Sequence, residues 1–134
     1  ASDVYKRQVA SFKKVILLDC HSMPLSSVNL ASKKDPVEIV LGDCFGRSCE
    51  HEIVVELKTL LTEVGFKVSL NNPFSGGFIT KNYASPPNNI HAVQIEILRS
   101  LYSHEKQQIK NSGFAKIQRR LIYVIEEFIK RFAY

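Results

Sequence analysis

VILLDCHSMP, residues 15–24, is the stretch on which the fold turns. Four apolar residues, Val15 to Leu18, make a continuous run of the kind found in a strand buried on both faces. The run leads straight into Asp19, Cys20, His21 and Ser22. A buried strand that ends in an acid, a thiol, an imidazole and a hydroxyl has two readings. One is a polar loop that starts there. The other is a metal or catalytic site at the carboxyl end of a sheet strand, where open α/β sheets place their ligands. Imidazole is the commonest protein ligand of catalytic metals.

Outward from this stretch, strands and helices alternate. Residues 37–41 (VEIVL) read as a second strand ending at Gly42-Asp43. Ile53, Val54, Leu57, Leu60, Leu61 and Val64 form one stripe of a 3.6-residue period and predict a helix. Ser48 is the expected N-cap and Gly65 the expected residue after the helix end. Residues 66–70 and 93–97 alternate as strands. A short helix is expected from Gly76-Gly77 to Tyr83. Ile117, Leu121, Val124, Ile125, Phe128 and Phe132 predict a C-terminal helix with one apolar face. The pattern is that of an α/β layered fold.

The 134 residues fit one domain or part of one. The apolar fraction of 45% is enough for a core, and no apolar run is long enough to span a membrane. The net charge is +5, with a late basic cluster of Lys116, Arg119, Arg120, Lys130 and Arg131. That cluster lies on the polar side of a helix and reads as a solvated face, so neither nucleic acid nor membrane is expected as a partner. Three cysteines, Cys20, Cys44 and Cys49, are too few for a disulfide framework and read as cytoplasmic thiols. Residues 1–8 (ASDVYKRQ) show no pattern that joins them to the strand that follows. They resemble read-through of a sequencing adapter, or else a disordered terminus, and the expected domain runs over residues 9–134.

Three further pieces carry chemistry. Glu96 sits in mid-strand between Ile95 and Ile97. A carboxylate there is either on a wet edge strand or is a general base in a cleft, because burying it unpaired is costly. Gly76 and Gly77 let backbone approach a ligand closely or make a tight turn into a helix. Arg47 and Arg99 are candidates to hold a carboxylate bidentately, and each reads equally well as a surface ion-pair residue.

Together the motifs resemble the N-formylglutamate amidohydrolase family. They run in that family's order: Asp19-Cys20-His21-Ser22-Met23-Pro24; Gly42-Asp43-Cys44-Phe45-Gly46; residues 72–79 (NPFSGGFI); then His91-Ala92-Val93-Gln94-Ile95-Glu96, followed by Arg99-Ser100-Leu101-Tyr102. The resemblance spans about residues 12–105. It implies a zinc-carboxypeptidase-like (phosphorylase/hydrolase-like) α/β fold, with a mixed sheet flanked by helices and a metal at strand ends.

The resemblance also implies roles. His21 would be the third zinc ligand. Glu96 would be the base that takes a proton from water and passes it to the leaving amine. The reaction would turn N-formyl-L-glutamate into formate and glutamate. Zinc would polarise the carbonyl and bring the pKa of bound water to about 7. Asp19 and Ser22 would support His21. Arg47, Arg99, Gly76, Gly77, Thr80 and Tyr83 would contact a small N-acyl amino acid, and His91 matches a family position in the pocket wall. The family's first two zinc ligands lie upstream of the Asp-Cys-His-Ser strand, so the chain is expected to be an N-terminally truncated, C-terminal portion of one domain, inactive alone.

There are departures. Cys44 stands where the family usually has Arg, Leu98 where it has Asn, Ala84 where it has Gly, and Phe74 and Phe78 where Tyr is common. They bear on the substrate more than on the reaction class. The alternatives are a carboxypeptidase-like or other amino-acid deacylase, an inactive fragment or degenerate binding module, and a different zinc site drawn from Cys20, His21, Cys44, Cys49 and His51.

Overall fold

The opening stretch does not stop being a strand at Leu18. In the structure, a computed structural model that describes residues 2–28 and 36–132, β1 runs over Val15–Met23 and carries Asp19, Cys20, His21 and Ser22 within it. Its partner explains the length. β4 (Ile90–Leu98) lies parallel to β1 in unbroken register, from Val15 opposite Ile90 to Met23 opposite Leu98. Every backbone N–H and C=O on that side of β4 needs a partner, and the ladder continues for as long as β1 can supply them.

β2 (Ile39–Gly42) pairs antiparallel with the other side of β4, and β3 (Val68–Leu70) pairs parallel with β2. The sheet order β1-β4-β2-β3 is therefore mixed. β4 is an interior strand, which corrects the wet-edge reading of Glu96: both of its faces are covered, and Gln94 and Glu96 are only 6% and 8% exposed.

One face of the sheet carries Ile39, Leu41, Val93 and Ile95 and packs on two helices. α2 (His51–Glu63) buries Ile53, Val54, Leu57, Leu60 and Leu61, the stripe expected from the sequence. Each such side chain contributes roughly 1.5–3 kcal/mol by leaving water. α2 ends as expected: Gly65 has φ +90°, its N–H bonds the Thr62 carbonyl at 2.9 Å, and the Phe66 N–H reaches the Leu61 carbonyl at 3.1 Å. Its start differs. Glu50, not Ser48, is the N-cap. Ser48 is bound to β4 instead: its hydroxyl donates to the Ala92 carbonyl at 2.8 Å, and its own carbonyl accepts the Ala92 N–H at 2.8 Å. α4 (Phe114–Phe132) follows a two-stranded hairpin, β5 (Ser103–His104) and β6 (Ile109–Lys110), and buries Ile117, Val124 and Phe128. Of the late basic cluster, Arg131 pairs with Glu56, Lys130 with Glu127, and Arg120 lies over the Phe66 ring.

The opposite face meets two helices near the start of β4. α3 (Phe78–Tyr83) begins after Gly77. α1 (Ser2–Phe12) takes in most of the N-terminal stretch, residues 2–8 included. The expectation of a disordered terminus is corrected: Tyr5 and Val9, one helical turn apart, line a cleft with Ile90, and Tyr5 meets the Tyr83 ring edge-on at 5.7 Å.

Candidate active site

Register brings the site together. Residues opposite one another in neighbouring strands share a face, and side chains alternate along each strand. His21 is opposite Glu96, Asp19 is opposite Gln94, and β2 places Val40 opposite Glu96 and Gly42 opposite Gln94. All project from the face that α2 and α4 do not cover. Adjacent strands lie roughly 4.8 Å apart, so the His21 and Glu96 side chains rise side by side.

Glu96 is buried, and its carboxylate accepts a hydrogen bond from Gln94 Nε2 at 2.8 Å. Gln94 was not singled out from the sequence. The available signal was its spacing: two residues before Glu96 in a strand is the same face. His21 is more open, with 47% of its side chain exposed against 18% for Asp19. His21 Nε2 lies 3.0 Å from Asp19 Oδ2. The two residues are two apart in β1, so the support expected from Asp19 is geometrically direct. With Nε2–H donating to the carboxylate, Nδ1 is left as the free nitrogen.

The glycines fit a close approach of backbone. A Cβ on Gly42 would stand 2.7 Å from the backbone of Ser75 and Gly76, and one on Gly77 would stand 2.9 Å from Gln94 Oε1. The loop that carries Gly76 and Gly77 is pressed onto β2 and β4 beside Gln94.

The remaining candidates are not gathered there. Ser22 points to the other face, and its hydroxyl and carbonyl accept hydrogen bonds from the Arg99 guanidinium at 3.3 Å. Ser22 therefore braces Arg99 rather than His21, and Arg99 is engaged within the protein. Thr80 is buried, and its hydroxyl is used by the Gly77 N–H at 3.0 Å and the Gly77 carbonyl at 3.1 Å. It caps α3. Tyr83 faces α1 in the cleft with Tyr5. Arg47 lines a separate cleft with Ser75, Thr80 and Lys81. His91 is fully buried on the α2 side of β4 and accepts the Glu50 backbone N–H on Nδ1 at 3.4 Å, so it is not part of this pocket wall.

The alternative zinc set is not assembled. Cys20 lies on the face away from His21. Burial pushes the Cys49 thiol up to about 12, with Asp43 and Glu50 adding to the effect, and a thiol held protonated is a poor ligand. Among the described residues no group of three or more His, Cys, Asp or Glu is placed to hold a metal. His21, oriented by Asp19, offers one nitrogen at which a metal could be held, and the described residues bring no further set of ligands around it.

The chain is similar to known proteins in both sequence and fold. The family model for N-formylglutamate amidohydrolase matches residues 2–103. The chain belongs to the N-formylglutamate amidohydrolase family. It is 35% identical over 97 residues to the N-formylglutamate deformylase of Pseudomonas putida, covering 72% of this chain and 36% of that protein. It is 32% identical over 101 residues to the N-formylglutamate deformylase of Pseudomonas aeruginosa, covering 75% of this chain and 38% of that protein.

A crystal structure of N-formylglutamate amidohydrolase from Ralstonia eutropha JMP134 superposes with a TM-score of 0.83 at 31% identity. The match covers 97% of this chain and 50% of that one. The mixed sheet flanked by helices is thus the arrangement of that family member. The gene product Atu2144 of Agrobacterium tumefaciens shares the fold, with a TM-score of 0.62 at 20% identity. This family member spans half or less of the length of these relatives.

Proposed function

We propose that this chain carries the general-base half of a metal-dependent amidohydrolase site that hydrolyses N-formyl-L-glutamate to formate and glutamate in the cytoplasm, on a zinc-carboxypeptidase-like scaffold. The observation that carries the reading is the pairing of His21 with Glu96 on one face of the sheet. The names of the relatives supply the substrate.

Hydrolysis adds water to the formyl carbon and breaks its bond to nitrogen. The attacking water must lose a proton, and the departing amine must gain one. Glu96 does both in turn, first as base and then as acid. Gln94 fixes the carboxylate by donating to one oxygen, which leaves the other for water. His21 is the imidazole through which this chain contributes to holding zinc, with Asp19 fixing its ring. The described residues bring no group of three or more such ligands together.

The test is formate release from N-formyl-L-glutamate with zinc present, by this sequence alone and joined to the N-terminal half of the P. putida relative. The joined protein is expected to turn over and the lone chain to show no measurable rate. Glu96→Gln is expected to lower the joined protein's rate by about 10²–10⁴-fold. A natively folded joined protein that releases no formate, or one indifferent to Glu96→Gln, overturns the reading.

A further inference from the structure

Beside the Glu96 face lies a cleft of about 440 Å³ between residues 44–48 and α3, within the usual range for small-molecule sites. Two basic residues line it, Arg47 from the loop after β2 and Lys81 from α3. Among the described residues, no carboxylate lines it. Among the described residues, neither Arg47 nor Lys81 has a side-chain hydrogen bond or ion pair. The nearby acid, Asp43, is already engaged by Asn71 Nδ2 at 2.7 Å.

The walls are fixed before any ligand arrives. Cys44, Phe45 and Gly46 hold left-handed φ values of 53°, 56° and 82°. The Cys44 N–H is bound to the Ser75 carbonyl at 2.7 Å, and Ser48 is tied to β4 through Ala92. Opposite them, Thr80 braces the first turn of α3 through Gly77. Two unpaired cations on pre-set backbones, facing one concave space, make a positive field that an anion relieves.

The cleft is separate from the reacting groups but is joined to them through the loop of Ser75 and Gly76. Ser75 lines it, and the backbone of Ser75 and Gly76 rests on Gly42, which is opposite Gln94, the partner of Glu96. We propose that this cleft is the subsite for the distal carboxylate of the acyl amino acid, with Arg47 and Lys81 as its two cationic arms and Lys81 as a specificity-determining residue. This rests on the function proposed above. Arg47 offers a planar fork to two carboxylate oxygens, and Lys81 offers a mobile point charge.

Binding is measured on this chain, without turnover, by amide NMR titration with L-glutamate, L-glutamine and inorganic phosphate. L-Glutamate is expected to shift the Gly46, Gly76 and Lys81 signals. Arg47→Gln and Lys81→Gln should each weaken its apparent Kd about tenfold, a change of about 1.4 kcal/mol. L-Glutamine, with its distal charge removed, should bind about as weakly to wild type as glutamate does to the variants. The subsite assignment fails if these signals stay still, if either variant binds glutamate as wild type does, or if phosphate binds as tightly as glutamate. That failure is separable from failure of the proposed reaction, which is read by formate release from the joined protein.

Discussion

His21 stands opposite Glu96 in the parallel register of β1 and β4, and each has its brace two residues earlier on its own strand. Asp19 holds His21 at 3.0 Å, and Gln94 holds Glu96 at 2.8 Å. The braces are themselves opposite one another. Four residues thus form a block in which strand pairing, rather than a loop, fixes the spacing of the chemical groups. Sites built on strands hold their geometry more closely than sites on loops.

Asp19→Asn tests the brace. The amide keeps the size of the side chain but loses the charge that orients the imidazole. Formate release by the joined protein is expected to fall about 10–100-fold, with the circular dichroism spectrum unchanged. Asp19→Glu should restore part of the loss, because a carboxylate returns at a longer reach. An activity unchanged in Asp19→Asn would mean that His21 is held by something else.

Gly42→Ala and Gly77→Ala separate two kinds of close approach. At Gly42 a methyl group meets main chain, the backbone of Ser75 and Gly76 at 2.7 Å, so the loop itself must move. A loss of about 1–3 kcal/mol is expected. At Gly77 the methyl meets only the tip of Gln94, which can swing away. Stability should then fall by less than about 1 kcal/mol, while the Gln94–Glu96 hydrogen bond is disturbed and activity drops. Urea unfolding midpoints give the order, and the reverse order would mean that the loop is not pressed onto β2.

What could be read in advance follows from range. The α2 stripe and the cap at Gly65 are local, and residues three or four apart reveal them. His21 and Glu96 were found because the motifs around them run in a family's order. The full length of β1 was hidden because its ladder partner lies far along the chain, and apolar content alone suggested an end at Leu18. Ser48 has the chemistry of an N-cap, but the exchange with Ala92 gave its hydroxyl and carbonyl another use. Arg47, Thr80, Tyr83 and Arg99 had plausible chemistry, yet only the packing of α1, α3 and the turn after β4 shows that they face three different surroundings, with Arg47 and Thr80 sharing one cleft. Lys81 carried no signal by itself, because its meaning comes from Arg47 across the cleft.

The last prediction concerns His91, which is 0% exposed. Its Nδ1 accepts the Glu50 N–H, and its Nε2 lacks a hydrogen-bond partner among the described residues, with Glu50 Oε2 at 3.8 Å. Burial holds its pKa below the ordinary 6.5; the Glu50 carboxylate pulls the other way, and Lys14 adds to the lowering. The imidazole is therefore neutral in the fold at neutral pH, while the unfolded chain takes up a proton near 6.5. Wherever the unfolded state binds more protons, stability rises with pH. The stability attributable to His91 is then complete above about pH 6.5 and is lost as pH falls from there towards the lowered folded value. Urea midpoints at about pH 7.5, 6.5 and 5.5 should decline over the last interval in wild type. In His91→Gln, whose amide oxygen can still accept the Glu50 N–H, that decline should be smaller. If the variant keeps the full wild-type slope, the titrating group lies elsewhere and His91 is only a packed side chain.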